Sequence, residues 1–467
     1  MARPAPRPQS RLAASAAPAG PVRTPSARHA LVAGSVGNFV EWYEFGVYGS
    51  FATVIAARFF TPDGGDRAQA LIATYAAFAI AFFFRPLGAL VFGRLADRAG
   101  RRPALVLAVS LMTVATTLIG VLPAYSTAGA VAPWLLTLLR SVQGLSAGGE
   151  FGGAVSLLTE SAPPGRRGRH GAWQSFTVAL GLLTGAGVAT GLATLLSESA
   201  LYAWGWRIPF LSALPLGAAA LWLRLRLPET GAPGAEAAPT GQGRPRDAEP
   251  ETTVTPGRAA TPGRADPSGA AGTTRAVVLG IGRIMGWSAA GYTFLVVLPS
   301  YLQATLHATF QQALAATFIA NLGFAAAILP AGTLSDRIGR RTVMLAGSVL
   351  VVLTAVPVLH LLRDPTTSVA VKAPLLAAAG AMIGLLAGPG PALLAEMFPT
   401  RVRSTGLGLA YALSNAVFSG CAGLIITTLV RHTGSPDLPA LYAAGACALS
   451  VPALLTLRPD DHLRPLR

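Results

Sequence analysis

Charged and polar side chains stand inside stretches of this chain that are otherwise apolar, and those positions define its candidate chemistry. Glu41 and Glu44 lie in GNFVEWYEFGVYGS, with Tyr48 completing an i, i+3, i+7 face. Arg140, Gln143 and Glu150 share one side of RSVQGLSAGGEFGGA, Arg85 lies in FFFRPLGALVFG, and Arg283 lies in a later apolar stretch. Inside a bilayer such a group costs about 2.5–3.5 kcal/mol on insertion scales, so it is a functional candidate by default. A carboxylate that moves between a dry setting and an arginine neighbour can load and release a proton. Glu44 is the first candidate for that role because it sits near the middle of its stretch; Glu41 is second and Glu150 third. Buried arginines grip carboxylates through paired hydrogen bonds, so Arg85, Arg140 and Arg283 are candidate ligands of an anionic group. Gln143, Tyr48 and Tyr292 are the polar groups expected beside them. Each residue also has a plainer reading. The glutamates can be fixed counter-ions of the arginines, and Glu150, set among glycines, suits that role best.

The elements that position these residues are long apolar segments. Hydrophobic residues make up 52% of the chain and charged residues only 12%, with a mean hydropathy of +0.52. That charged fraction is about half what a soluble domain carries. Spans are expected near 30–57, 68–92, 103–123, 133–158, 171–196 and 208–226, then near 275–302, 311–331, 342–362, 373–395, 404–430 and 438–457. The fold class is therefore an all-α membrane protein of twelve helices, each able to satisfy its own backbone in lipid. Residues 1–29 and 458–467 read as tails, 30–227 and 275–457 as two six-helix halves, and the Pro-, Gly- and Thr-rich stretch 228–274 as a linker. No apolar signal-peptide core precedes the first span. The run Gly388–Pro391 is expected to break or bend the tenth span.

A duplication relates the halves. GRLADRAGRR, Gly93 to Arg102, returns as GTLSDRIGRR, Gly332 to Arg341, and in both cases the phrase joins two apolar segments. After the fourth span Glu160 precedes Arg167 by seven residues, and after the tenth Glu396 precedes Arg403 by the same step. Two landmarks in register point to a transporter built from repeated halves. Asp97 and Asp336 are expected to cap the helix that follows each basic phrase and to pair with neighbouring arginines. The net charge of +16 does not indicate nucleic acid, since most of the 36 basic residues fall in segments on one side of the expected topology. By the positive-inside rule that side, with both termini, is cytoplasmic, in a cell or inner membrane. Cys421 and Cys447 are expected to be packing residues.

On these stretches, joined by WGWRIPF (204–210), LRLRLPET (223–230) and EMFPTRVRSTG, the chain resembles the major facilitator superfamily. More narrowly it is similar to the metabolite:proton symporters, which include proline/betaine, 2-oxoglutarate, citrate and shikimate permeases. The resemblance implies the major facilitator fold and alternating access. It also implies that the basic phrases latch one end of the molecule: Asp97, Arg98, Arg102 and Glu160 in the first half, and Asp336, Arg337, Arg341 and Glu396 in the second. Glu160 with Arg102, and Glu396 with Arg341, are the expected latch pairs. The osmosensory branch carries a long carboxy-terminal coiled coil, and this chain ends at Arg467 soon after its last span, which argues against an osmosensor.

The expected function is proton-coupled uptake of a small organic metabolite, with a carboxylate favoured over a zwitterionic osmolyte such as proline or betaine. A membrane receptor that kept the fold without transport is the alternative from another class. No phosphate loop, nucleophile elbow or metal-ligand cluster supports an enzyme or an ATP-driven pump. No cofactor is expected. The expected partners are the substrate, protons and lipid, with no nucleic acid, and the protein is expected to be a monomer.

Overall fold

Long runs rich in Ala, Leu, Val and Gly, with few charges inside them, fold as helices because the backbone bonds of a helix are closed within the segment. The computed structural model describes residues 27–62, 65–148, 150–226, 270–464 and 466, apart from the side chains of residues 27–34, 97, 101, 226, 270 and 271. Among the described residues there are twelve rods and no strand. In the first half they are α1 (Ala27–Ser50, continued by Ala52–Ile55 and Ala56–Phe60), α2 (Arg67–Ala99), α3 (Arg101–Val121), α4 (Val131–Ala147 with Glu150–Glu160), α5 (Arg167–Leu195) and α6 (Glu198–Leu225). In the second half they are α7 (Gly272–Ala304), α8 (Phe310–Ile338), α9 (Arg340–Arg363), α10 (Val369–Met397), α11 (Thr400–Thr433) and α12 (Leu438–Leu455). Ten of them are each long and apolar enough to cross a membrane by length and composition; α1 and α4 complete the twelve. The segment expected as a linker lies outside the described residues up to 269, and residues 270–274 are helical.

The halves repeat one packing scheme. α1 packs on α5 and α6, α2 on α4, and α3 on α4 and α6; correspondingly α7 packs on α11 and α12, α8 on α10, and α9 on α10 and α12. The interface between halves is also paired, with α5 against α8 and α2 against α11. Glycine permits the closest of these approaches. A Cβ on Gly144 would overlap the carbonyl oxygen of Ala81 on α2, and one on Gly380 would overlap that of Ala320 on α8. The two crossings occupy equivalent places in the halves and follow the small-residue rule for membrane helices. Large apolar side chains such as Phe83, Leu118, Trp134, Leu353 and Leu449 are left on the outer surface, as a lipid-facing belt requires.

The duplicated phrase is mostly helix. The expected spans end where charge begins, at 92 and 331, whereas α2 runs on to Ala99 and α8 to Ile338. Arg and Asp are compatible with helix once the rod has left the apolar layer, so a hydropathy limit falls short of the helix end. Each helix stops at a single glycine, Gly100 with φ +95° and Gly339 with φ +91°, and the next helix starts at once. That left-handed backbone is why a glycine stands at this point in both copies. The Gly388–Pro391 run interrupts α10 between Ala387 and Gly390, as its prolines predict.

Candidate functional site

α1 carries Glu41, Glu44, Phe45 and Tyr48 along one face at the centre of the molecule, and α2 presents Phe78, Phe82 and Arg85 toward it. Arg85 Nη2 lies 2.8 Å from Glu41 Oε1 in a pair almost closed to solvent. Its guanidinium also rests 4.4 Å from the Phe82 ring centre, 4.8 Å from Phe45 and 5.5 Å from Trp42. Arg140, from α4, stands 4.2 Å from the Tyr48 ring and 4.8 Å from the other side of the same cluster at Phe45. Aromatic faces attract a desolvated guanidinium by about 2 kcal/mol or more, partly replacing the water it has lost. Arg140 Nη1 donates to Gln143 Oε1 at 2.7 Å, while Nε and Nη2 have no hydrogen-bond partner among the described residues. Gln143 in turn donates to Thr116 on α3 at 2.6 Å.

Glu44 is the exceptional carboxylate. It is 1% exposed, and neither of its oxygens has a hydrogen-bond partner among the described residues, although Thr116, Arg140 and Gln143 surround it. It forms no ion pair among those residues, in contrast to Glu41. From the second half Tyr292 closes the cluster against Trp42, Phe78 and Phe82, with its hydroxyl unpartnered among the described residues. Tyr48 donates to the Thr74 carbonyl at 3.1 Å. Seven of the sequence candidates therefore meet: Glu41, Glu44, Tyr48, Arg85, Arg140, Gln143 and Tyr292.

Two candidates lie elsewhere. Glu150 is bound to Arg224 of α6 at 2.9 Å, and Arg224 also donates to the Leu105 carbonyl. Glu150 thus pairs α4 with α6, away from the central cluster. Arg283 does not face Arg85 and Arg140 from the second half. It points to α12 within its own half, donating to Thr456 Oγ1 at 2.8 Å and to the Ala453 carbonyl at 3.3 Å. The helical phase of α7 puts Tyr292 on the inner face and Arg283 on the face toward α12, which hydropathy alone does not distinguish.

A cavity of about 20 Å³ remains beside the Glu41–Arg85 pair, lined by Asn38, Trp42, Phe151 and Tyr411 among others. It has room for about one water and none for a metabolite, which takes a site of several hundred Å³. Contacts between halves close the molecule on either side of it. At the end bearing the basic phrases, Arg403 of the second half pairs with Glu160 of the first at 2.5 Å, and Arg167 of the first lies 3.9 Å from Glu396 of the second. The two Glu…Arg steps thus exchange partners across the interface. Asp336 accepts from the amides of Gly168 at 2.7 Å and Arg169 at 2.9 Å, and Arg340 bridges Asp336 and Glu396. At the opposite end Asp66 pairs with Arg431 at 2.7 Å, Tyr75 meets Ser300 at 2.5 Å, and Thr53 donates to Gln303 at 2.9 Å. The conformation is closed at both ends.

The latch pairs differ from those expected. Arg102 donates to the Leu225 carbonyl and Arg341 to the Leu457 carbonyl at 3.2 Å, so each arginine ties its phrase to the last helix of its own half and leaves the glutamates to Arg403 and Arg340. Asp336 caps α5 of the other half and not the helix that follows it. The tight glycine turn carries α9 away, while the N-terminus of α5 presents free amides. Arg98 and Arg337 are exposed, and the Asp97 side chain lies outside the described residues. Arg167, Arg224, Arg340 and Arg403 are the ion-pair partners of these glutamates that the sequence reading leaves unassigned. For Arg167 and Arg403 the duplicated step to a glutamate is the signal that could have found them.

The family model described as "Sugar (and other) transporter" matches residues 30–457. The chain belongs to that family, within the major facilitator superfamily. It is similar to the ectoine/proline transporter of Corynebacterium glutamicum, at 36% identity over 94% of this chain and 85% of the relative. It is also similar to the alpha-ketoglutarate permease of Escherichia coli, at 36% identity over 86% of this chain and 87% of the relative. The citrate-proton symporter of Klebsiella pneumoniae is 31% identical over 92% of both chains. Among solved structures, the xylose transporter XylE from E. coli in an inward-open conformation superposes with a TM-score of 0.67 at 17% identity, covering 92% of this chain and 95% of that one, which establishes the shared fold. The protein is a multi-pass membrane transporter and not an enzyme.

Proposed function

We propose that the protein is a proton-coupled symporter that takes up a small organic metabolite bearing a carboxylate. The observation that carries this reading is Glu44, a fully buried carboxylate with no hydrogen-bond partner among the described residues, enclosed by Thr116, Arg140 and Gln143 in the first half of a transporter closed at both ends. A permanent charge left unpaired there is expensive, so a group that gains and loses a proton with each cycle suits the position. Glu41 is held by Arg85, whereas Arg140 keeps two N–H groups for a substrate carboxylate. A citrate-proton symporter and carriers of alpha-ketoglutarate and of proline or ectoine among the relatives support this chemistry. The basic end is then cytoplasmic, by the positive-inside rule. Purified protein in liposomes tests the reading: citrate, 2-oxoglutarate, proline and glycine betaine are offered with and without an inward proton gradient. Accumulation of at least one that requires the gradient supports symport, and transport of all of them indifferent to the gradient refutes it.

A second reading, a zwitterionic substrate, is favoured by the Glu41–Arg85 pair, which is already neutral and faces a cavity walled by Trp42, Phe151 and Tyr411. Such a wall suits an ammonium group. Arg85→Lys and Arg140→Lys separate the two readings. Tight betaine binding indifferent to both substitutions favours the zwitterion, and loss of citrate or 2-oxoglutarate binding in Arg140→Lys favours the carboxylate.

A further inference from the structure

The central charges all belong to the first half, yet a substrate carried by rocking halves must be held by both. Arg283, the expected contribution of the second half, is turned toward α12. The side chain that the second half does bring among those charges is Tyr292 of α7. Its ring is seated on three aromatics of the first half, 6.1 Å from Trp42, 6.2 Å from Phe78 and 5.5 Å from Phe82. Trp42 and Phe82 also carry the Arg85 guanidinium, and Phe78 carries that of Arg140 at 4.9 Å. The Tyr292 hydroxyl is accordingly within electrostatic reach of both guanidiniums. Immediately after Tyr292, α7 passes into a π-helical stretch, Thr293–Val297, a geometry that is rare and concentrates at functional sites.

Donors are in surplus at this point. Tyr292 is 6% exposed, and its hydroxyl has no hydrogen-bond partner among the described residues. The same holds for Nε and Nη2 of Arg140 and for Nε of Arg85. A buried donor left unpaired is costly, and here such donors come from three helices and from both halves. Beside two guanidiniums, the acceptor that suits them is an anion, and a carboxylate has two oxygens able to take several N–H and O–H donors at once. We infer that the Tyr292 hydroxyl is the second half's ligand for the substrate carboxylate and completes the site begun by Arg140. Tyr292 reaches this place only while α7 lies against the aromatic faces of α1 and α2. Recognition of the carboxylate and closure of the halves around it are therefore one event.

This inference rests on the transport reading and deepens it, but it is tested by binding and stability. Binding to purified protein in detergent needs no gradient, so failure of symport and failure of this contact are seen separately. The probes are 2-oxoglutarate, citrate, proline and glycine betaine, all of which bear a carboxylate, followed by quenching of tryptophan fluorescence. Trp42, beside both Tyr292 and Arg85, is the reporter. Tyr292→Phe keeps the ring and removes only the unpartnered hydroxyl. It should bind whichever probe the wild type binds about ten-fold more weakly, the usual cost of a lost hydrogen bond to a charged group. The Tm of the ligand-free protein should be kept or rise, because a buried donor without a partner has been taken away. Arg140→Lys combined with Tyr292→Phe should bind about as weakly as the weaker single variant, since both act on one carboxylate. A phenol that only packs would behave differently, lowering Tm and affinity together. Wild-type affinity in Tyr292→Phe, an affinity loss accompanied by a lower Tm, or losses that simply add in the double variant would overturn the inference. Binding of none of the probes by the wild type would overturn it together with the carboxylate reading.

Discussion

Two glutamates one helical turn apart on α1 have opposite surroundings. Glu41 faces Arg85 at 2.8 Å, while Glu44 is enclosed by Thr116, Gln143 and Arg140 with no hydrogen-bond partner for either oxygen among the described residues. This difference divides their expected roles. Glu44→Gln should abolish gradient-driven accumulation while leaving exchange between equal pools partly intact, since exchange need not release the proton; counterflow in liposomes measures both. Wild-type accumulation by the variant would remove Glu44 from the coupling step. Glu150 belongs to a different class of residue, because it is itself partly exposed and serves the buried guanidinium of Arg224. Glu150→Gln leaves a buried guanidinium without its counter-ion and should cost about 3–5 kcal/mol, seen as a lower Tm of the purified protein. Changing Arg224 to glutamine as well should recover most of the loss.

At the level of elements, the close crossings of α2 with α4 and of α8 with α10 fix the shape of each half. Gly144 and Gly380 stand where a methyl group would enter a facing carbonyl oxygen. Gly380→Ala should therefore force the two helices apart and destabilise the second half by about 1–3 kcal/mol, a typical cost of overpacking. A drop in Tm with substrate affinity largely kept is the expected outcome, because the atoms that an added methyl on Gly380 would meet first belong to Ala320 and Phe324 of α8. The same element logic explains Trp206 and Arg207 in the motif WGWRIPF. Trp206 is fully buried between Phe59 and Phe210, and Arg207 donates to the carbonyls of Gly120 and Leu122, tying the start of α6 to the end of α3.

For the whole molecule, the decisive feature is the exchange of partners between halves: Glu160 with Arg403 and Glu396 near Arg167. These bonds exist only while the basic end is closed, so they bias the equilibrium between conformations. Arg403→Glu should open that end, raising cysteine accessibility from the basic side and lowering it from the other. The double variant Glu160→Arg with Arg403→Glu should restore the wild-type pattern. A double variant as open as the single one would show that the Glu160–Arg403 pair does not set the equilibrium and that Arg403 acts through its bonds to the Ala395 and Phe398 carbonyls.

The sequence alone determined the membrane class, the two related halves and most of the central cluster. Hydropathy reports burial in lipid directly, a duplicated phrase reports a duplicated unit, and spacing along a helix reports which residues share a face. That is why Glu41, Glu44 and Tyr48 on α1, and Arg140 with Gln143 on α4, are legible in the chain itself. Only the tertiary structure decided which face of one helix meets which face of another. Arg283 and Tyr292 are equally intramembrane by sequence, and the rotation of α7 sends one to α12 and the other to the centre. Glu150 and Glu41 are both carboxylates near an arginine, and packing alone gives them Arg224 and Arg85. The latch partners were hidden for the same reason. Ion pairs between halves join residues more than two hundred positions apart, as Glu160 and Arg403 are, and their choice depends on the angle at which two rigid bundles meet.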